Sequence, residues 1–196
     1  VETSVVQLFS DWSDNFSTEF KVGRRTYDSL SNVNARLPQI SIGFGTANDP
    51  DQAASPYLNF GADEFRHGNQ INTTTDTAFG AATWYVGDHT LKFGFDLEEN
   101  DVYNLYAQNI WGAYSFASLH HLPRGEYGEY RLNAPVPGND LDSVAMRYKQ
   151  RNTGLFVQDS WAVNYNLTLL FGLRADLPSM DDVPVHNLLV QEVYGL

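Results

Sequence analysis

The sequence offers few groupings of side chains whose types and spacing suit chemistry, and each favours a structural role. The adjacent pair His120-His121 suggests a metal site. Neighbouring residues on a strand point to opposite faces, however, and neighbouring residues on a helix diverge. No Cys, and no Glu at helical spacing, stands nearby to complete a ligand set. The runs Asn48-Asp49-Pro50-Asp51 and Asn139-Asp140-Leu141-Asp142 supply oxygen ligands suited to Ca²⁺. Both lack the turn glycine and closing glutamate of an EF-hand, so they read as solvated acidic loops. Carboxylate pairs are spread through the chain as acidic composition dictates, and nothing singles out one for glycoside hydrolysis. A nucleophile elbow, a phosphate loop and a dinucleotide fingerprint are all missing. The expectation is no catalytic residue, no metal and no cofactor: a chain that binds rather than reacts.

Composition narrows the classes further. The chain has 196 residues, 42% of them hydrophobic, 14% aromatic and 18% charged, which is too apolar for disorder. A net charge of −12 leaves no basic cluster able to neutralise a run of phosphates, so no nucleic-acid partner is expected. Cysteine is absent, which removes disulfides, thiolate chemistry and zinc fingers. Asn-x-Ser/Thr sites at Asn15, Asn72 and Asn166 fall at turns or loops. No apolar run approaches the roughly 18 residues of a membrane helix. Barrel strands escape that test because only alternate residues face lipid.

The elements that must position any binding site are strands. From His89 to Glu98, Leu91, Phe93, Phe95 and Leu97 alternate with Thr90, Lys92, Gly94 and Asp96. From Leu167 to Asp176, Leu167, Leu169, Phe171, Leu173 and Ala175 alternate with Thr168, Leu170, Gly172, Arg174 and Asp176. Period two marks a strand with one apolar face; a helix would need apolar residues three and four apart. Short turns of Ser13-Asp14-Asn15, Gly87-Asp88 and Asn164-Tyr165-Asn166 predict three successive hairpins. Residues 29–72 and 100–146 link them, each about forty residues, far longer than ordinary connections. They carry Pro38, Pro50, Pro56, Pro123, Pro135 and Pro137. Short links at one end and long links at the other are the asymmetry of an outer-membrane barrel. Trp12 and Phe16, Trp84 and Tyr85, and Trp161 and Tyr165 flank the three turns, as an interfacial aromatic girdle would.

The fold class expected is therefore all-β: part of the wall of an antiparallel transmembrane β-barrel, with about six long strands, short periplasmic turns and long extracellular loops. The alternative is a secreted β-sandwich module for carbohydrate binding or adhesion, in which the apolar faces would pack on a second sheet.

Residues 154–176 read GLFVQDSWAVNYNLTLLFGLRAD. This resembles a hairpin of TonB-dependent outer-membrane receptors, in which F-x-Q-D-x-W, a short turn, L-T-L and G-x-R-x-D follow in order. The matching residues are Phe156, Gln158, Asp159, Trp161, Leu167, Thr168, Leu169, Gly172, Arg174 and Asp176. Residues 87–98, GDHTLKFGFDLE, resemble another hairpin of these barrels, with the pattern H-x-L-K-x-G-x-D. Residues 12–23, WSDNFSTEFKVG, and 112–116, GAYSF, are similar to an Oar-like subgroup of large receptors. Six strands cannot close a barrel of roughly 22 strands. Residues 1–196 are thus expected to be part of a receptor barrel domain, with the plug domain and the remaining strands absent from this sequence.

The resemblance implies a receptor in a Gram-negative outer membrane that binds a small-molecule, glycan or peptide ligand and takes it up actively. Its expected partners are outer-membrane lipid and a TonB-type energising complex acting through the missing plug. The apolar sets named above should face lipid, with Lys92, Asp96, Glu98, Arg174 and Asp176 facing the lumen. Tyr57, Phe60, Tyr114 and Tyr127 are the candidate ligand-stacking residues, in extracellular loops that should gather at one end of the sheet.

Overall fold

The computed structural model describes residues 1–44, 57–180, 182 and 188–195. They form ten strands: β1 (Glu2–Ser13), β2 (Phe16–Leu30), β3 (Gln39–Gly43), β4 (Tyr57–Phe60), β5 (Gly68–Val86), β6 (His89–Ala107), β7 (Ala113–Phe116), β8 (Glu129–Arg131), β9 (Met146–Asn164) and β10 (Leu167–Met180). One short helix, α1 (Leu188–Tyr194), follows. The six long strands make one sheet in the order β1-β2-β5-β6-β9-β10, and the four short ones a second in the order β4-β3-β7-β8. Two compact units result: Val1–Thr26 with Thr73–Val102 and Tyr148–Leu196, and Tyr27–Asn72 with Tyr103–Arg147.

In the first unit all three predicted hairpins form where the turn residues sit. β1 pairs antiparallel with β2 across Asp14-Asn15, with a register shift between Asp11 and Ser13. β9 pairs antiparallel with β10 across Tyr165-Asn166. Gly87 supplies the positive φ (59°) of the two-residue turn between β5 and β6, and Asp88 has none, the type II′ pattern. The remaining neighbours also run antiparallel. Asn15 pairs with Tyr85 where Arg24 pairs with Asp76, and Asp88 with Ala162 where Glu99 pairs with Arg151. Strand direction therefore alternates across the sheet, so short turns emerge at one end and both long connections at the other, as the alternation of link lengths predicts.

The alternation also resolves the sheet into two chemically distinct faces. One carries Leu91, Phe93, Phe95 and Leu97 beside Leu155, Val157, Leu169, Phe171 and Leu173. Phe93 is 44% exposed, Phe171 56% and Leu173 79%. A sandwich would bury this set; here it is open. Phe95 lies across Gly80, where an added Cβ would stand 2.6 Å from its ring. The opposite face carries Lys21, Thr77, Thr83, Lys92, Asp96, Gln158, Arg174 and Asp176.

The second unit corrects the expectation that residues 29–72 and 100–146 are plain loops. β5 begins at Gly68 and β6 continues to Ala107, so the connections are shorter than expected. They hold the four-stranded sheet, in which β3 runs parallel to β7, with Ile40 beside Tyr114 and Ile42 beside Phe116. The two long connections thus meet in one sheet. Its core is Ile42, fully buried, with Phe116, Ala113 and Ala62. Gly61 permits the entry turn: its φ is 87°, and a Cβ there would collide with the Pro38 carbonyl.

Candidate binding surfaces

The long-connection unit presents two surfaces. Registers place Ile40, Ile42, Leu58, Phe60, Tyr114, Phe116 and Tyr130 on one face of its sheet. Ser41, Tyr57, Asn59, Ser115 and Glu129 lie on the other. Of the four aromatics picked from the sequence, Phe60 and Tyr114 share the apolar face. Tyr127 stands edge-on to Tyr114, with ring centroids 5.5 Å apart. Tyr57 is on the opposite face, so the four do not form a single platform. The sequence reading missed Tyr130, which stacks on Tyr114 at 4.5 Å and meets Tyr127 at 6.2 Å. Burial raises the Tyr114 phenol above its ordinary pKa, and neighbouring Tyr130 adds to the shift. The phenol therefore stays protonated and able to donate at neutral pH.

On the polar face an open groove of about 480 Å³ is lined by Gln39, Ser41, Tyr57, Asn59, Ser115 and Glu129. Amide, hydroxyl and carboxylate groups around one exposed ring suit a polar ligand that also stacks. Buried polar groups brace the same unit. Glu64, 6% exposed, donates its backbone N–H to the Gln39 side-chain oxygen at 2.8 Å, and its carboxylate pairs with Arg131 at 3.2 Å. His67 stacks on Trp111 at 4.7 Å. Its Nδ1 accepts from the Trp111 N–H, which leaves Nε2 to donate to the Ala62 carbonyl.

The metal candidates have other uses. His121 Nδ1 lies 2.9 Å from the Ser118 hydroxyl, and Ser118 Oγ accepts from the His120 N–H. Asp140 caps the turn Leu141–Val144 by accepting from the Ser143 N–H. Asp142 accepts from Arg147 and from Tyr103, and these bonds, that from Arg147 foremost, hold its carboxyl below the usual range. No group of three or more His, Cys, Asp or Glu able to hold a metal occurs among the described residues. Residues 48–51 lie outside the described residues.

In the first unit the five charged residues expected on one face divide among three arrangements. Arg174 donates to Asp96 at 2.6 Å and to Asp176 at 2.6 Å, binding β6 to β10 over Gly154, whose missing Cβ leaves the room. Glu98 accepts from the Asn100 amide at 2.9 Å. Lys92 instead lies 6.0 Å from the Phe79 ring, and Lys21 lies 5.6 Å from the same ring. Phe79 stacks on Phe156 at 6.1 Å. On the apolar face the exceptions to alternation are paired within the sheet. His89 Nδ1 is 2.7 Å from Asp159, and the His89 ring stacks on Trp161 at 5.4 Å. Arg24 holds Asp76, Arg151 holds Glu99, and Lys149 holds Asp101, all toward the strand ends away from the turns.

The resemblance motifs, separated by tens of residues in sequence, therefore interlock in space: His89 with Asp159 and Trp161, Gly94 with Phe156, and Asp96 with Arg174. No curated protein and no solved structure matches the chain. A family model described as an outer membrane beta barrel domain matches residues 4–186. An open sheet with one apolar and one polar face is what such a wall requires. The chain belongs to the outer membrane beta barrel domain family, and its place is the outer membrane.

Proposed function

We propose that this chain is a sector of the wall of a TonB-dependent transporter, its apolar face toward lipid and its polar face toward the lumen. Ligand capture starts in the long-connection unit, at the groove beside Tyr57 and the Tyr114–Tyr127–Tyr130 cluster. The observation that carries the reading is the interlocking of the two receptor-like hairpin motifs through Asp96, Phe156 and Arg174. Binding of a ligand outside, followed by uptake driven by an inner-membrane energising partner, accounts for a wall whose long connections carry clustered aromatic and polar side chains.

The spacing of boundary residues agrees with a membrane span. On β9, Trp161 and Arg151 bracket the open apolar stretch, and on β6 His89 and Glu99 do the same. About ten tilted residues cross the hydrocarbon layer in barrels, so these limits match one bilayer thickness. The test uses intact cells carrying the full-length protein and its native ligand. Uptake is expected to collapse to background when the inner-membrane proton gradient is discharged, while ligand binding at the cell surface persists. Uptake that continues unchanged without the gradient would identify a passive pore instead.

A further inference from the structure

On the polar face of the four-stranded sheet the side chains line up in one row. Cross-strand pairing sets Asn59 beside Ser41, Ser41 beside Ser115 and Ser115 beside Glu129, so β4, β3, β7 and β8 each contribute one polar group at the same level. With strands about 4.8 Å apart, the row runs roughly 14 Å across the sheet. Its middle is held in one hydrogen-bonding state. The Gln39 side-chain oxygen accepts from the Glu64 N–H at 2.8 Å, and its amide nitrogen donates to Ser41 Oγ at 3.2 Å. Ser41 therefore keeps its own proton free to donate. The side chains of Asn59 and Ser115 and the Tyr57 hydroxyl make no hydrogen bond among the described residues. Gly43, opposite Tyr57 in the register, puts no side chain beside that ring, which is 53% exposed.

Charge decides the class of ligand that fits. No lysine or arginine lines the groove, so an anionic ligand meets no cation there, and the net charge of −12 opposes its approach. The one ionisable member of the row, Glu129, stands 3.4 Å from Arg131, so a cationic ligand meets a carboxylate already shared. An apolar ligand would strip water from amides and hydroxyls without replacing their hydrogen bonds. What remains is an uncharged molecule whose hydroxyls both donate and accept, and whose C–H face can lie on an exposed ring. An oligosaccharide combines the two, and a groove of about 480 Å³ is within the range of small-molecule sites. We propose that the groove binds an uncharged oligosaccharide, its hydroxyls along Asn59, Ser41, Ser115 and Glu129 and one sugar ring against Tyr57. The proposal rests on the reading of this unit as the place of ligand capture, and narrows it.

Binding of the full-length protein to immobilised glycans tests it, in a zwitterionic detergent that carries no sugar. Uncharged pentasaccharides of glucose, mannose and xylose are the probes, with tetragalacturonate as the acidic comparison. At least one uncharged probe is expected to be retained, and tetragalacturonate is not. In titrations with the retained sugar, Tyr57→Ala and Ser115→Val should each weaken binding by about tenfold. Tyr57→Phe keeps the ring and should bind nearly as the parent does. All three variants should assemble normally, because Tyr57 is exposed and valine suits a strand. Retention of none of the uncharged probes overturns the proposal. So does retention of tetragalacturonate in preference to them, or binding that neither Tyr57→Ala nor Ser115→Val weakens. The measurement needs no proton gradient, so uptake independent of the gradient would sink the transport reading and leave the sugar site standing.

Discussion

Placing arginine at Phe93 or Phe171 is expected to destabilise the assembled barrel by roughly 2–4 kcal/mol if the site lies near mid-bilayer, and by less toward an interface. Both residues lie on the open apolar face, 44% and 56% exposed, midway between the aromatic turn end and the ion-paired far end. At Phe93 a charged group has neither water nor a carboxylate beside it, and the cost of desolvating it is not repaid; at Phe171 it would stand across from Asp159, so Phe93 should carry the larger cost. Arginine at Gln158, on the polar face one residue from Val157, should be tolerated because that face is already charged. Unfolding of the full-length protein by urea in lipid vesicles reads the difference. Equal costs on both faces would remove the distinction on which the membrane orientation depends.

Valine at Gly94 is expected to be as damaging, for a different reason. A Cβ there would stand well inside the van der Waals distance of the Gly80 carbonyl oxygen, 2.9 Å from Ala81 Cα and 2.9 Å from the Phe156 ring. Two of these neighbours are backbone, so relief requires β5 and β6 to separate, with loss of ladder hydrogen bonds. Overpacking of this kind costs about 1–3 kcal/mol, and a rigid backbone contact puts it at the upper end. Gly128 offers the contrast. An added Cβ there would meet only the Ser115 carbonyl oxygen, at an ordinary 3.8 Å, and its φ lies outside the left-handed region. Gly128→Ala should therefore fold almost as well as the parent, whereas Gly94→Val should accumulate as unfolded, protease-sensitive chain. A Gly94→Val barrel of parental stability would show that the close β5–β6 approach is unnecessary.

What the sequence revealed follows from the physics of each feature. Period two over residues 89–98 and 167–176 is a local property, and so are the turns at Asp14, Gly87 and Tyr165. Hairpins, face assignment and connection asymmetry could all be read from them. β3, β4, β7 and β8 could not, because each has only three to five residues. The parallel pairing of Ile40 with Tyr114 joins segments far apart in the chain, and no local pattern encodes it. Tyr130 escaped for the same reason: it lies in a three-residue strand, and only the register with β7 brings it onto Tyr114. Phe79 and Phe156 left a legible trace, as bulky aromatics at positions where the alternation calls for polar residues. That breach of pattern places two stacked rings on the polar face.

Site-directed spin labelling along β6 addresses the central claim most directly. The sequence contains no cysteine, so single cysteines at positions 91–93 and 95–98 would carry one nitroxide each within this segment. In the full-length protein in lipid bilayers, labels at Leu91, Phe93, Phe95 and Leu97 should be accessible to oxygen dissolved in lipid and shielded from a water-soluble nickel chelate. Labels at Lys92, Asp96 and Glu98 should lose the preference for oxygen, giving an accessibility ratio that oscillates with period two. A ratio that does not oscillate, or low oxygen accessibility at Phe93 and Phe95, would mean that this face is covered by protein and would contradict a membrane wall.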